Sequence, residues 1–174
     1  MKKASAVLLL IAIVALLLQA CKKDIVRVVD FSKYTTTDNE CQITGVGDTT
    51  EWINNVLNRS EDTALLIFAD NIFISDTQAA KISITPPCPN PSNGFFIWNV
   101  NPSRECKLKV VCVNTAGDIL YYNAYGLLGG PITLGFDFRG KSVFHSGINY
   151  RMYYGFFNSR DSLYYSGHGD IRIQ

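Results

Sequence analysis

The stretch "NYRMYYGFF", Asn149 to Phe157, has the most regular strand pattern of the chain. Its apolar side chains recur at every second position: Tyr150, Met152, Tyr154 and Phe156. Because successive side chains of a β-strand point to opposite faces, this spacing predicts a strand that turns this set towards a core. Tyr153 and Phe157 then fall on the other face, which the protein must either cover or expose.

Short apolar segments with the same texture lie on both sides of this strand, separated by turn-forming residues. The predicted strands span residues 81–85, 94–100, 107–113, 119–122, 132–138, 149–157 and 162–173. A Pro, Asn and Ser loop separates the first two strands, and polar turns separate later ones. Short strands at regular spacing with turns between them predict a mainly β protein, a sandwich of two sheets.

The segment "FHSGINY" at 144–150 leads into the strand predicted at 149–157. It resembles the L-x-P-G-T-x-Y motif of fibronectin type III domains. Phe144, Gly147 and Tyr150 stand at the family's leucine, glycine and tyrosine. Ser146 and Ile148 stand where the family has proline and threonine. The resemblance extends over residues 80–174, in which Trp98 takes the place of the family's core tryptophan. It implies a fibronectin type III-like or immunoglobulin-like sandwich.

A short α/β segment, residues 48–79, is expected to precede the sandwich domain of residues 80–174. Asp48 and Glu51 have the spacing of a helix capping box, and the apolar residues of 52–57 follow at helical spacing. Residues 64–69 and 72–74 are apolar runs that predict two short strands or a hairpin. Residues 21–47 are predicted to be a tether that becomes ordered towards Cys41.

The first 24 residues resemble the export signal of bacterial lipoproteins. Lys2 and Lys3 precede twelve apolar residues, 7–18, and the sequence "LQAC" at 18–21 is similar to a lipobox. Twelve residues rise only about 18 Å as a helix, short of the roughly 30 Å of a bilayer core. The resemblance implies that residues 1–20 are a removed signal peptide and that Cys21 carries lipid. The alternative is an ordinary signal peptide followed by a free or disulfide-bonded cysteine.

These features predict a protein of the bacterial cell envelope, held to the membrane by its N-terminal lipid. Lipoproteins with aspartate directly after the cysteine tend to stay in the inner membrane, and Lys22 stands there instead, so the outer membrane is expected, on either its periplasmic or its external face. Removal of Lys2 and Lys3 changes the formal net charge from +1 to 1 − 2 = −1. A nearly neutral chain without a basic run gives no reason to expect a nucleic-acid partner.

With Cys21 assigned to lipid, four cysteines remain: Cys41, Cys88, Cys106 and Cys112. An even number in an exported protein favours two disulfides, with three connectivities possible. A metal site is the alternative, but there is no C-x-x-C pair and neither histidine is near a cysteine in sequence. We therefore expect no metal and no cofactor. The fibronectin-like mapping places Cys106 and Cys112 on one strand, and it implies pairing of Cys88 with Cys112 and of Cys41 with Cys106.

Catalytic motifs are not apparent, and an enzyme is not expected. The sequence lacks G-x-S-x-G and H-E-x-x-H. His168, followed by Asp170, is the most suggestive short stretch, and a polar irregularity or bulge in the last strand is the favoured interpretation. A hydrolase with an unrecognised site is the least favoured function.

Aromatic residues are concentrated in the second half of the chain, where thirteen of the 21 lie between positions 121 and 165. The candidate binding surface consists of Tyr153, Phe157, Tyr164 and Tyr165. Exposed rings would suit a protein or glycan ligand, and the favoured alternative is that residues 48–79 cover this face. The sequence thus predicts a non-catalytic binding or adhesion module, with a structural subunit of an envelope assembly as the alternative.

Overall fold

The computed structural model describes residue 31, residues 33–54, residue 57 and residues 60–174. The lipobox and Cys21 lie outside the described residues, as does Val56 of the predicted helix. Within the described part of the chain there are nine strands and one helix. They are β1 (Thr36–Thr37), β2 (Ile43–Gly45), α1 (Ser60–Leu65), β3 (Ile82–Ile84), β4 (Phe95–Pro102), β5 (Cys106–Val113), β6 (Ile119–Leu127), β7 (Ile132–Asp137), β8 (Asn149–Phe157) and β9 (Leu163–Arg172).

The strands form a β-sandwich, as predicted. One antiparallel sheet has the order β3-β4-β7, the other has the order β6-β5-β8-β9, and β1 and β2 pair separately. Side chains of both sheets meet in one core, to which the first sheet contributes Trp98 and Phe136 and the second Leu108 and Tyr154. The mainly β, immunoglobulin-like or fibronectin type III-like fold class is therefore confirmed.

Two local features of the sandwich match the fibronectin-like pattern. The Tyr150 hydroxyl accepts a hydrogen bond from the backbone N–H of His145 at 2.6 Å, which is the contact that defines a tyrosine corner. Trp98 is fully buried in β4, and its indole N–H donates to the carbonyl of Thr85 at 2.8 Å. The predicted strand at 149–157 has the bounds of β8.

The helix predicted at residues 52–57 is wrong. Residues 49–52 form a turn, and the described helix, α1, begins only at Ser60. The Glu51 carboxylate does not cap a helix; it accepts backbone hydrogen bonds from Thr35 at 2.7 Å and from Asp170 at 2.9 Å. These long-range bonds connect three parts of the chain, and they outweigh the local helical preference.

Trp52 also departs from the predicted helix, because its side chain enters the sandwich core. Its backbone has a φ of 54°, in the left-handed region, and its ring is 4% exposed. The ring stacks on Tyr154 with centroids 6.0 Å apart and meets the edge of Trp98 at 5.8 Å. The segment before the sandwich thus supplies part of the core.

The two short strands predicted within 64–74 are also wrong. Helix α1 includes residues 64 and 65, and residues 67–79 form no strand. Asp70 explains the course of this segment, because its carboxylate lies 2.9 Å from the ammonium groups of Lys107 and Lys109 on β5. These contacts hold the segment by side chains rather than by a backbone ladder.

The predicted disulfide pairing is wrong as well. Cys41 bonds to Cys88, and the Cα atoms lie 5.0 Å apart. Cys106 and Cys112 are free thiols, buried on the core side of β5, where Cys41 and Cys88 do not reach. Cys41 does link the N-terminal segment to the sandwich, and that segment is ordered well before it, since Thr35 and Thr37 are buried.

Candidate functional site

The aromatic face predicted as a binding surface is covered. Tyr153 is 4% exposed and Phe157 is 5% exposed. Leu57 and Leu66 pack with them and with Val111 in a second apolar cluster, on the outer side of the four-stranded sheet. Of the two outcomes open from the sequence, the structure has the covered face, and the proposed surface through Tyr153 and Phe157 is wrong.

Tyr164 and Tyr165 do not extend that face, because a β-bulge turns both of them inward. In the β8–β9 ladder Phe157 pairs with Leu163 and Phe156 with Tyr165, so one extra residue lies between the two pairs. Both tyrosines pack against the main core and are half-buried. The sequence did indicate an irregularity in the last strand, but placed it at His168, which pairs regularly with Tyr153.

The Asp170 carboxylate is engaged by Arg151. The Arg151 guanidinium makes two parallel hydrogen bonds to the Asp170 carboxylate, at 2.7 and 2.8 Å, and Asp170 is fully buried. His168 lines an open depression of 690 Å³ together with Lys33, Asp48 and Arg151. Arg151, which lines the depression, thus forms an ion pair with the buried Asp170.

Burial changes the acidity of the two carboxyl groups in this region. Desolvation, followed by the charge of Asp170, raises the pKa of Glu51 to about 7. Desolvation also raises the pKa of Asp170, although the bonds from Arg151 oppose the change. The Glu51 carboxylate accepts the backbone N–H of Asp170, and this bond joins the turn at residues 49–52 to β9.

An open cleft that the sequence did not single out lies where the loop between β3 and β4 meets the end of the chain. It has a volume of 350 Å³. We call it the loop-end cleft, and its lining residues are Asn39, Pro89, Pro91, Ser92, Asn93, Phe95 and Gln174. No lining side chain carries a charge.

Three isolated β-bridges connect the loop that lines the cleft to neighbouring segments. They join Asn90 to Thr37, Cys88 to Ile97, and Ser92 to Ile173. The Cys41–Cys88 disulfide adds a covalent connection to the turn that carries Asn39. The side chain of Asn90 is buried in the same network and donates to the carbonyls of Thr35 and Asp170. The backbone of the loop that lines the cleft is therefore held by hydrogen bonds and a disulfide.

The cleft combines an aromatic ring with side-chain amides. Phe95 is 37% exposed, and the Arg139 guanidinium lies 5.1 Å from its ring centroid. The amides of Asn39 and Gln174 are exposed and bond to no other described side chain or backbone group. The side-chain oxygen of Asn93 accepts a hydrogen bond from the backbone N–H of Phe95 at 3.3 Å, and the side-chain NH₂ group of Asn93 takes no part in that bond.

The sequence signal for this site was weak. The run of proline and asparagine at 87–93 indicated a loop but no ligand, because the same residues serve ordinary turns. The contributions of Asn39 and Gln174 come from positions 135 residues apart, which only the disulfide and the bridges bring together.

Two further properties concern membranes and metals. Within the described ranges, no helix is long and apolar enough to span a bilayer. The same residues contain no group of three or more His, Cys, Asp or Glu side chains placed to hold a metal ion.

Comparison with known proteins does not identify a family. No family model matches the chain, and no curated protein is significantly similar to it. The site geometry therefore carries the functional argument.

Proposed function

We propose that the protein is a lipid-anchored, non-catalytic binding module of the bacterial envelope, and that the loop-end cleft contacts a protein or glycan ligand. The observation that carries this proposal is the contrast between the two candidate surfaces. The aromatic face of Tyr153 and Phe157 is buried, whereas the cleft is open and fixed by a disulfide and three backbone bridges. Rigid sites bind with a smaller loss of conformational entropy.

The anchor is supported by the sequence of residues 1–24 alone. Two or more acyl chains on Cys21 would give stable attachment, because each buried methylene contributes about 0.8 kcal/mol. Cells that express the protein and are fed labelled palmitate should incorporate label, and Cys21→Ser should abolish incorporation and release the protein from the outer-membrane fraction. Label retained by Cys21→Ser would argue against this anchor.

Ligand binding is tested with the full-length protein in detergent micelles, on arrays of purified glycans and envelope proteins. We expect retention on a subset of spots and its loss in Phe95→Ala. Phe73→Ala is the matched control, because Phe73 is 94% exposed and lies outside the cleft. Equal loss in both variants, or retention that neither variant changes, would contradict a role for the cleft.

The second candidate, a structural subunit of an envelope assembly, is favoured by the outer edge of β6. The nine residues Ile119–Leu127 carry no charge, and no described strand pairs with their second edge. The side-chain oxygen of Asn123 accepts a hydrogen bond from the backbone N–H of Ala124 at 2.9 Å. Uncharged edges of this length can add a strand from a partner.

This alternative predicts a complex of fixed stoichiometry after gentle membrane extraction. Asn123→Lys places a charge on the exposed edge and should dissolve such a complex, while Ala116→Lys, at an exposed position of the preceding turn, should not. A protein that is monomeric in both forms would leave the binding module as the function.

A further inference from the structure

We infer that the loop-end cleft takes an uncharged glycan, engaged as a terminal sugar or a short segment of a longer chain. This inference rests on the proposed binding function and specifies its ligand. Four observations support it: the lining has no charged side chain, it offers several amides, it combines them with apolar rings, and it is rigid.

The amides provide the polar half of the recognition. Asn39 and Gln174 each carry a carbonyl oxygen and an NH₂ group, so each can accept from one sugar hydroxyl and donate to another. The oxygen of Asn93 already accepts the Phe95 N–H, and its NH₂ group can donate. A hydroxyl is likewise both donor and acceptor, whereas a carboxylate or phosphate only accepts and would favour lysine or arginine. The lining therefore matches vicinal hydroxyls better than an anion.

The cation beside the cleft does not change this balance. Arg139 is paired with Asp137, with the guanidinium and carboxylate 2.6 Å apart, so the two charges offset each other beside the cleft. Arg139 also lies over the Phe95 ring and fixes its orientation. An acidic glycan would find no uncompensated cation among the side chains that line the cleft.

The rings provide the apolar half. Phe95 offers an exposed aromatic surface, and the half-buried rings of Pro89 and Pro91 lie in the same lining. A pyranose has faces of C–H groups beside its hydroxyls, and such a face packs on an aromatic ring through dispersion and the ring quadrupole. Hot-spot side chains of a protein ligand are typically seated in well-packed, desolvated pockets, whereas this cleft is open.

Size and rigidity agree with a small ligand. The volume of 350 Å³ is near the lower end for ligand pockets, which suits the end of a glycan rather than a large group. Weak individual contacts give measurable affinity more readily when the site loses little conformational entropy on binding. The bridges at Cys88, Asn90 and Ser92 provide that order in advance.

The test uses the full-length protein and saturation-transfer NMR. The probes are the uncharged hexasaccharides of glucose, mannose and N-acetylglucosamine, with hexagalacturonate as the charged counterpart. We expect transfer to at least one uncharged probe and none to hexagalacturonate. In titrations, Phe95→Ala and Asn39→Ala should each weaken binding at least tenfold, while Phe73→Ala should leave it unchanged.

The failures of the two proposals are distinguishable. If the arrays show a ligand that depends on Phe95, but that ligand is hexagalacturonate or a protein, the uncharged-glycan inference is overturned and the binding function stands. If an uncharged probe binds equally well to Phe95→Ala and Asn39→Ala, the inference is also overturned, because the sugar then binds elsewhere. If neither array nor probe shows any ligand, both proposals fail together.

Discussion

The indole ring of Trp52 lies directly against the α-carbon of Gly169, so closely that a Cβ added at Gly169 would come 2.0 Å from Trp52 Cε2. Only glycine leaves room at this point of β9 for a ring that arrives from outside the sandwich. The segment before the sandwich and the last strand are therefore parts of one core, and each needs the other.

Gly169→Ala should destabilise the protein by about 3 kcal/mol or more, at the upper end of the range for overpacked cores. The added methyl group must displace Trp52 from its stack on Tyr154. Urea unfolding followed by tryptophan fluorescence measures the change. Gly135→Ala is the matched control, since its Cβ would make ordinary contacts of 3.7 and 3.8 Å with Phe95, and a loss of stability in the control of similar size would argue against the Trp52 contact.

In a Cys21→Ser variant, thiol titration should find two reactive cysteines in the unfolded, unreduced protein and none in the native protein. The two are Cys106 and Cys112, which are fully buried until the core opens. Burial also raises the pKa of the Cys106 thiol to about 11, which further slows its reaction in the native state. Dithionitrobenzoate with and without guanidinium gives the counts. No reactive thiol after unfolding would mean that these cysteines pair and that the bonding is different.

Asp70→Asn should destabilise the protein by about 2–3 kcal/mol and loosen residues 66–73. Burial by itself raises the pKa of Asp70, but bonds from Lys109 and Lys107 lower it to about 2, so the carboxylate is charged at neutral pH. Its loss leaves two buried ammonium groups with fewer partners. Hydrogen exchange should localise the effect. Asp137→Asn, at an exposed ion pair, should change stability far less than Asp70→Asn, and equal effects would contradict the account.

Stability should fall as pH rises from about 4.5 to about 7. The unfolded chain ionises Glu51 near its ordinary pKa of 4.5, whereas the folded chain keeps the proton until about pH 7, so the native state binds more protons in between. The contribution of Glu51 to the free energy of unfolding is fully present below pH 4.5 and is lost as the pH rises through 7. It amounts to about 3 kcal/mol at most. The raised pKa of Asp170 acts in the same direction.

Urea unfolding at intervals between pH 5 and pH 9 measures this slope. Glu51→Gln lowers stability at every pH, because the amide nitrogen cannot accept the second backbone N–H, but it should flatten the slope between pH 5 and pH 7. An unchanged slope in Glu51→Gln would show that another group carries the pH dependence.

The sandwich could be predicted from the sequence because its signals are local. The alternation of Tyr150, Met152, Tyr154 and Phe156 in β8 requires only the two-residue period of a strand. The turn between β8 and β9 is likewise formed by neighbouring residues. The side-chain oxygen of Asn158 accepts hydrogen bonds from the backbone N–H groups of Arg160 and Ser162.

The segment before the sandwich could not be predicted, because distant partners determine its course. Asp48 and Glu51 have the spacing of a helix cap, yet Glu51 bonds to Asp170, 119 residues away. The disulfide partner of Cys41 and the inward turn of Tyr164 depend on contacts of the same kind. The loop-end cleft was missed for this reason, since its lining comes from three separate parts of the chain.

Hydroxyl-radical footprinting of the full-length protein measures how fast each side chain is oxidised. It therefore tests whether the aromatic face is covered and the loop-end cleft is open. Phe95 at 37% exposed and the fully exposed Phe73 should be oxidised readily, while Tyr153 and Phe157, at 4% and 5%, should be protected until the protein unfolds. Oxidation of Tyr153 and Phe157 at a rate comparable to that of Phe95 would contradict the account, and the aromatic face would then return as the binding surface.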